Sequence, residues 1–153
     1  MAIIERGIVG EGVPERTRMA QVTITSAQLL ALFATPISLV AAPGANLALV
    51  FEGMMVHKPA GVAYGGIAAG EDLSVKYTDA AGIEVAQCEA TGFLDQASAQ
   101  TRWVRAQAAA TGASQITPVA NAALVLHMLV GEIITGDQPL KCQVNYKIVP
   151  VLF

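Results

Sequence analysis

The chain has 153 residues, of which 54% are apolar and 14% charged, and a formal net charge of −3. Globular chains average about 25% charged, so this composition excludes disorder as the main state, and the lack of a Lys/Arg cluster argues against nucleic-acid binding through a basic surface. The length predicts one domain, and two cysteines, Cys88 and Cys142, make neither a disulfide framework nor a CxxC site.

The first eighteen residues read as an arm. Gly7, Gly10, Gly12 and Pro14 interrupt it, Glu and Arg alternate in it, and it lacks the basic start and apolar run of a signal peptide. Val22 to Thr25 alternates with β-favouring residues. Ser26 to Leu32 predicts one short helix with Thr25 or Ser26 as N-cap, ended by Thr35-Pro36. Ile37 to Ala41 is a strand, and Ala42-Pro43-Gly44-Ala45 suits a turn with glycine at positive φ. Asn46 to His57 predicts a long apolar strand with Gly53 as a bulge.

Lys58 to Gly70 is rich in Gly, Ala and Pro. Leu73 to Tyr77 alternates cleanly as a half-buried strand, Asp79 to Gly82 is a turn, and Ile83 to Glu89 resumes strand character. Gly92 to Gln100 fits a helical turn or a loop. Thr101 to Gly112 is open: its Ala/Gln run favours helix, but Thr111-Gly112 cuts that short. Asn121 to Val130 and Leu140 to Val149 are strands, and in the second Cys142, Val144, Tyr146 and Ile148 face one way while Lys141, Gln143, Asn145 and Lys147 face the other. Seven or eight short strands with turns between them predict an all-β fold: an antiparallel β-sandwich, jelly-roll-like, with at most one or two short helices. The domain boundaries are residues 1–20 for the arm and 21–153 for the sandwich.

The apolar surplus needs a destination. A membrane helix takes about 20 apolar residues. Leu29 to Phe51 is broken by Pro36, Pro43 and Gly44, and Val119 to Val130 is short and holds Asn121 and His127, so no membrane partner is expected. A protein–protein interface is the better destination.

Groups for catalysis are few. His57 and His127 each have a glutamate five residues away, Glu52 and Glu132, and an odd separation on a strand puts the two on opposite faces. The expectation is a histidine satisfied in or beside the core, two cysteines acting as small buried hydrophobes, no metal, no cofactor and no enzymatic activity. Glu71, Asp72 and Asp79 read as solvated turn residues. Arg102-Trp103-Arg105 is the one cation–aromatic cluster, of a composition enriched at interfaces, and fits equally a core Trp with surface arginines.

The ordered motifs resemble a family of small structural proteins of tailed bacteriophages, the head decoration or cement proteins. The residues that carry the resemblance run from Ile24-Thr25-Ser26-Ala27-Gln28-Leu29-Leu30 and Ala34-Thr35-Pro36-Ile37-Ser38-Leu39-Val40 through Ala63-Tyr64-Gly65-Gly66 and Leu73-Ser74-Val75-Lys76-Tyr77. They continue with Thr91-Gly92-Phe93-Leu94-Asp95-Gln96, then Asn121 to Leu126, and Ile134-Thr135-Gly136-Asp137 on to Tyr146. The resemblance implies a virion protein, made in the host cytoplasm and carried on the capsid exterior, that binds the major capsid protein as a homotrimer and stabilises an icosahedral shell. The interface candidates are Ile3, Ile4, Arg6, Arg16 and Arg18 of the arm, with Arg102, Trp103 and Arg105. The alternative is a phage tail or host-binding protein. A cupin-type jelly-roll enzyme would need more histidines than the chain has.

Overall fold

Local chemistry sets the first element after the arm. The Thr25 side chain accepts from the Gln28 amide while the Gln28 side chain reaches back to the Thr25 amide, a complete capping box that starts helix α1 (Ser26–Leu30). A computed structural model describes residues 16–107 and 115–151. Within them the remaining elements are strands: β1 (Arg18–Ile24), β2 (Ile37–Val40), β3 (Leu47–Lys58), β4 (Leu73–Tyr77), β5 (Glu84–Cys88), β6 (Gln100–Arg105), β7 (Leu124–Met128) and β8 (Leu140–Pro150).

The strands form two antiparallel sheets, β1-β8-β3-β6 (sheet A) and β2-β7-β4-β5 (sheet B). First pairs with eighth, second with seventh, third with sixth and fourth with fifth. The chain is thus one long antiparallel hairpin, closed at the β4–β5 turn and rolled into a sandwich. That is the wiring of a jelly roll. Between the sheets lie Leu49, Met54 and Val56 of β3, Leu73, Val75 and Tyr77 of β4, Leu124 and Leu126 of β7, and Val144 of β8, all buried. The Tyr77 hydroxyl donates to the Leu49 carbonyl and so joins sheet B to sheet A across the core. Its burial pushes the Tyr77 pKa up to about 12.

Several expectations are corrected. Residues 18–20, assigned to the arm, are the first rungs of β1 and pair with Tyr146, Asn145 and Val144. The open segment is a strand over Gln100–Arg105, because pairing along β3 outweighs the helix preference of the residues that follow. Residues 108–112 of that segment lie outside the described residues. Tyr146, placed on the core side of β8, is only half-buried at the core's edge. Glu71 is buried and accepts from the Ala68 amide, and Asp72 accepts from the Ala90 amide and the Gln87 side chain. These carboxylates are loop caps, because loop amides folded away from water need acceptors.

Gly53 does sit at a bulge. The β3–β8 register shifts between Phe51 and Gly53, and the extra residue resets the alternation. Phe51, Met54 and Val56 all face the core, while Glu52 pairs on the outer surface with Lys147 at 3.3 Å. Glu52 and His57 therefore share one face of sheet A despite their odd separation.

Candidate functional site

Two surfaces carry the exposed large apolar groups of the described residues other than Ile83 in the β4–β5 turn, and the first is built from loops. The β3–β4, β5–β6 and β7–β8 connections meet at one end of the sandwich and are laced together. Gly65 and Ile134 exchange both backbone hydrogen bonds, at 2.7 and 2.8 Å. The Asp137 carboxylate accepts from the Val62 amide at 2.8 Å, and the Tyr64 hydroxyl donates to the Gln138 carbonyl at 2.6 Å. The amides of Gly61 and Tyr64 donate to the carbonyls of Ala97 and Leu94, both at 3.0 Å. Beneath them Lys58, fully buried, donates to the carbonyls of Ser98 and Gln96. Desolvation holds its pKa below the usual lysine range, opposed by the Asp95 carboxylate.

On this base the β7–β8 loop takes costly conformations. Val130 has φ 73° and Thr135 φ 55°, a left-handed geometry that costs non-glycine residues roughly 1–3 kcal/mol each. Gly136, at φ 91°, lies so close to Tyr64 that an added Cβ would stand 2.4 Å from the ring. The result presents Val130 at 62% and Ile134 at 60% exposure, with Phe33 and Val62 also exposed. Glu132 ties the α1–β2 connection to this end by accepting from the Phe33 and Ala34 amides, both at 3.2 Å.

The second surface is the outer face of sheet A, and its side chains follow from the registers. One cross-strand row is Gln21, Gln143, Met55 and Trp103. The row on one side is Thr23, Lys141, His57 and Thr101, and on the other Met19, Asn145, Gly53 and Arg105. Gln21 Nε2 donates to Gln143 Oε1 at 3.2 Å, and His57 Nδ1 lies 2.8 Å from Thr101 Oγ1. Trp103 is 50% exposed. Its ring lies against the bulge, since a Cβ on Gly53 would stand 2.8 Å from Trp103 Cζ2. A concave groove of about 560 Å³ runs beside it, lined by Gln21, Thr23, Met55, His57, Lys141 and Gln143 among others. Glu52 closes one end of the face. The Thr17 hydroxyl donates to it at 2.6 Å, and this bond and Lys147 hold its carboxyl below the usual carboxylate range.

Strand alternation divides the predicted Arg102-Trp103-Arg105 cluster. Trp103 and Arg105 lie on the outer face, whereas Arg102 sits on the core side, 5.4 Å from the Phe93 ring centroid, with its guanidinium donating to the Gly92 carbonyl. Arg16 and Arg18 are exposed, and Ile3, Ile4 and Arg6 lie outside the described residues. The loop-end residues were not among the candidates. Val130, Ile134 and Phe33 carry no chemical motif, and their exposure depends on how three distant loops pack.

His127, on the outer side of β7, is buried beneath Phe33. The rings stack with centroids 5.7 Å apart, and His127 Nε2 lies 3.1 Å from the Phe33 carbonyl. Desolvation and Lys76 push its pKa down, against the Phe33 carbonyl and Glu132. His127 and Glu132 thus meet at Phe33, as parts of a loop anchor. Cys88 and Cys142 are free and buried, with burial pushing their thiols up to about 11 and about 12. Such thiols are weak nucleophiles. Among the described residues, no three His, Cys, Asp or Glu side chains gather to hold a metal ion, and no helix is long and apolar enough to cross a membrane.

No family model matches the chain, and no curated protein matches it. A solved structure, the cyanophage Pam1 capsid asymmetric unit, is similar at 14% identity and a TM-score of 0.47, over 94% of this chain and 91% of that one. Values of this size carry no functional inference.

Proposed function

We propose that the chain is a virion structural protein that decorates and stabilises an icosahedral phage capsid from outside. In this reading it binds the major capsid protein as a trimer, through apolar contacts and its N-terminal arm, and catalyses nothing. The observation that carries the reading is the laced loop end. It holds Phe33, Val62, Val130 and Ile134 out of the protein on a base of interlocked backbone hydrogen bonds. Exposed apolar groups on a rigid support suit protein docking, because little conformational freedom is lost on binding. The jelly-roll wiring agrees with it as an analogy of fold, since viral capsid domains use that wiring, and so does the resemblance of the sequence motifs to decoration proteins.

The mechanism is linkage. A protein that binds the assembled lattice and not its free subunits stabilises the lattice by mass action. Three loop ends on one trimer bind together, so weak single contacts sum to firm attachment.

The test is to find the protein in purified particles by mass spectrometry and to locate it by cryo-electron microscopy. Density on the outer capsid surface is expected, and absence from the virion overturns the reading. The paired change Val130→Asp and Ile134→Asp should weaken attachment to shells by about tenfold or more with an unchanged melting midpoint. Light scattering should give a trimer mass, and a monomer at micromolar concentration would remove the trimer from the proposal.

A further inference from the structure

The outer face of sheet A lies apart from the loop end, and its chemistry differs. Its central row sets two primary amides beside a thioether and an indole: Gln21, Gln143, Met55 and Trp103 on four neighbouring strands. Three strand spacings separate the ends of that row, about 14 Å, the length of a short oligosaccharide.

We infer that this face is a glycan-binding site, with Trp103 as the platform for a pyranose ring. Trp103 lies against the bulge at Gly53, whose missing Cβ makes room for it, and it remains 50% exposed. The ring is therefore seated from below and open to solvent. An aromatic face carries partial negative charge and suits the C–H face of a sugar, whose carbons bear polarised hydrogens.

The flanking groups match sugar hydroxyls, which both donate and accept. The Gln21–Gln143 hydrogen bond uses one Gln21 amino hydrogen and the Gln143 oxygen, leaving Gln21 Oε1 and the whole Gln143 amino group without a partner among the described residues. His57 Nδ1 is engaged by Thr101, which fixes the ring, and Nε2 has no protein partner among the described residues. The amides have already given up rotamer freedom to each other, which lowers the cost of binding. Met55 supplies an apolar floor between Gln143 and Trp103. The groove of about 560 Å³ is lined by Gln21, Met55, His57 and Gln143 and falls in the range of small-ligand sites; Trp103 stands outside it as the cross-strand neighbour of Met55.

This inference does not rest on the shell-binding reading, and the loop-end variants leave it intact. The test uses the fact that Trp103 is the chain's single tryptophan, so its fluorescence reports this face alone. Cellohexaose, maltohexaose and a hexameric galacturonate are titrated into the full-length protein up to about 10 mM, where even millimolar sites fill. At least one should shift the emission saturably, and calorimetry should give the same affinity. Trp103→Ala should weaken that affinity about tenfold or more by calorimetry, Trp103→Phe should recover much of it, and Gln143→Ala should cost about fivefold. No emission change with any of the three sugars overturns the inference. So does an affinity left unchanged by both Gln21→Ala and Gln143→Ala, or a shift that follows protein concentration without sugar, which would mark the face as a contact between copies.

Discussion

The two sheets of this sandwich treat their outer faces in opposite ways. On sheet B every residue of β7 is buried, so Val125 and His127 are shielded on the outside as Leu124, Leu126 and Met128 are on the inside. Part of that cover is Phe33, held over His127 by its own carbonyl and by Glu132. On sheet A no loop among the described residues crosses the centre, and Met19, Met55 and Trp103 stay exposed among amides and hydroxyls. An outer face is closed where a neighbouring connection can be pinned to it with hydrogen bonds. The α1–β2 connection can be pinned, because its amides find an acceptor in Glu132. Among the described residues sheet A has no such anchor over its centre, and its apolar groups stay open there.

Three comparisons, using four substitutions, would break or sharpen this contrast. The largest effect is expected for Val125→Lys, which buries an ammonium beside Lys76, its cross-strand partner. It should cost about 3 kcal/mol in urea unfolding, whereas Met55→Lys on sheet A should stay within about 0.5 kcal/mol. Equal costs at the two sites would remove the distinction between closed and open faces. Next comes Gly53→Val, which drives a side chain into the seat of Trp103. We expect a loss of about 2 kcal/mol and a red-shifted tryptophan emission as the ring lifts into water, and an unchanged spectrum would show that the ring does not rest there.

The smallest is Phe33→Ala. A buried phenylalanine costs about 3–5 kcal/mol when truncated, so a ring 40% exposed should cost about 1 kcal/mol. Its sharper signature is in pH. The folded-state pKa of His127 lies below its ordinary 6.5, so on acidification the unfolded chain takes up this proton first. The stability tied to His127 is whole above about 6.5, is lost as pH falls toward the folded-state value, and levels off below it. Removing the Phe33 cover should raise the folded-state pKa and shrink that loss, which a titration of the histidine ring signals by NMR would show.

Much of the fold was legible in local chemistry. The Thr25 cap, the positive φ of Gly44, the bulge at Gly53 and the alternation of the first half of β8 depend on near neighbours only, and each stands where the residue pattern put it. The turn itself closes two residues later than expected, from Gly44 to Leu47, and β4 is buried on both faces, with Ser74 fully enclosed, because sheet B is covered outside as well as inside. The strand β6 was obscured by the Ala/Gln run after Arg105, since the preference of a short segment is overridden by pairing with a partner 44 positions away, as His57 and Thr101 are. The site was less legible. Trp103 and Arg105 stood out as a composition suited to contact, but whether Arg102 joined them depended on which way the strand faced. The loop-end group was invisible, because Val130 and Ile134 look like ordinary core residues until three loops hold them outward.

The sequence by itself determined an all-β chain with one short capped helix, too few charges for its size and little chemistry for catalysis. Alternation, capping and turn geometry are local, and they need no knowledge of the partner strand. Only the tertiary structure decided the jelly-roll order, the faces of Trp103 and Arg102, and which outer face stays open. Those depend on register, on one bulge that flips the alternation of β3, and on whether a loop finds an acceptor to hold it in place. Each is a contact between residues far apart in the chain, and no local pattern encodes its outcome.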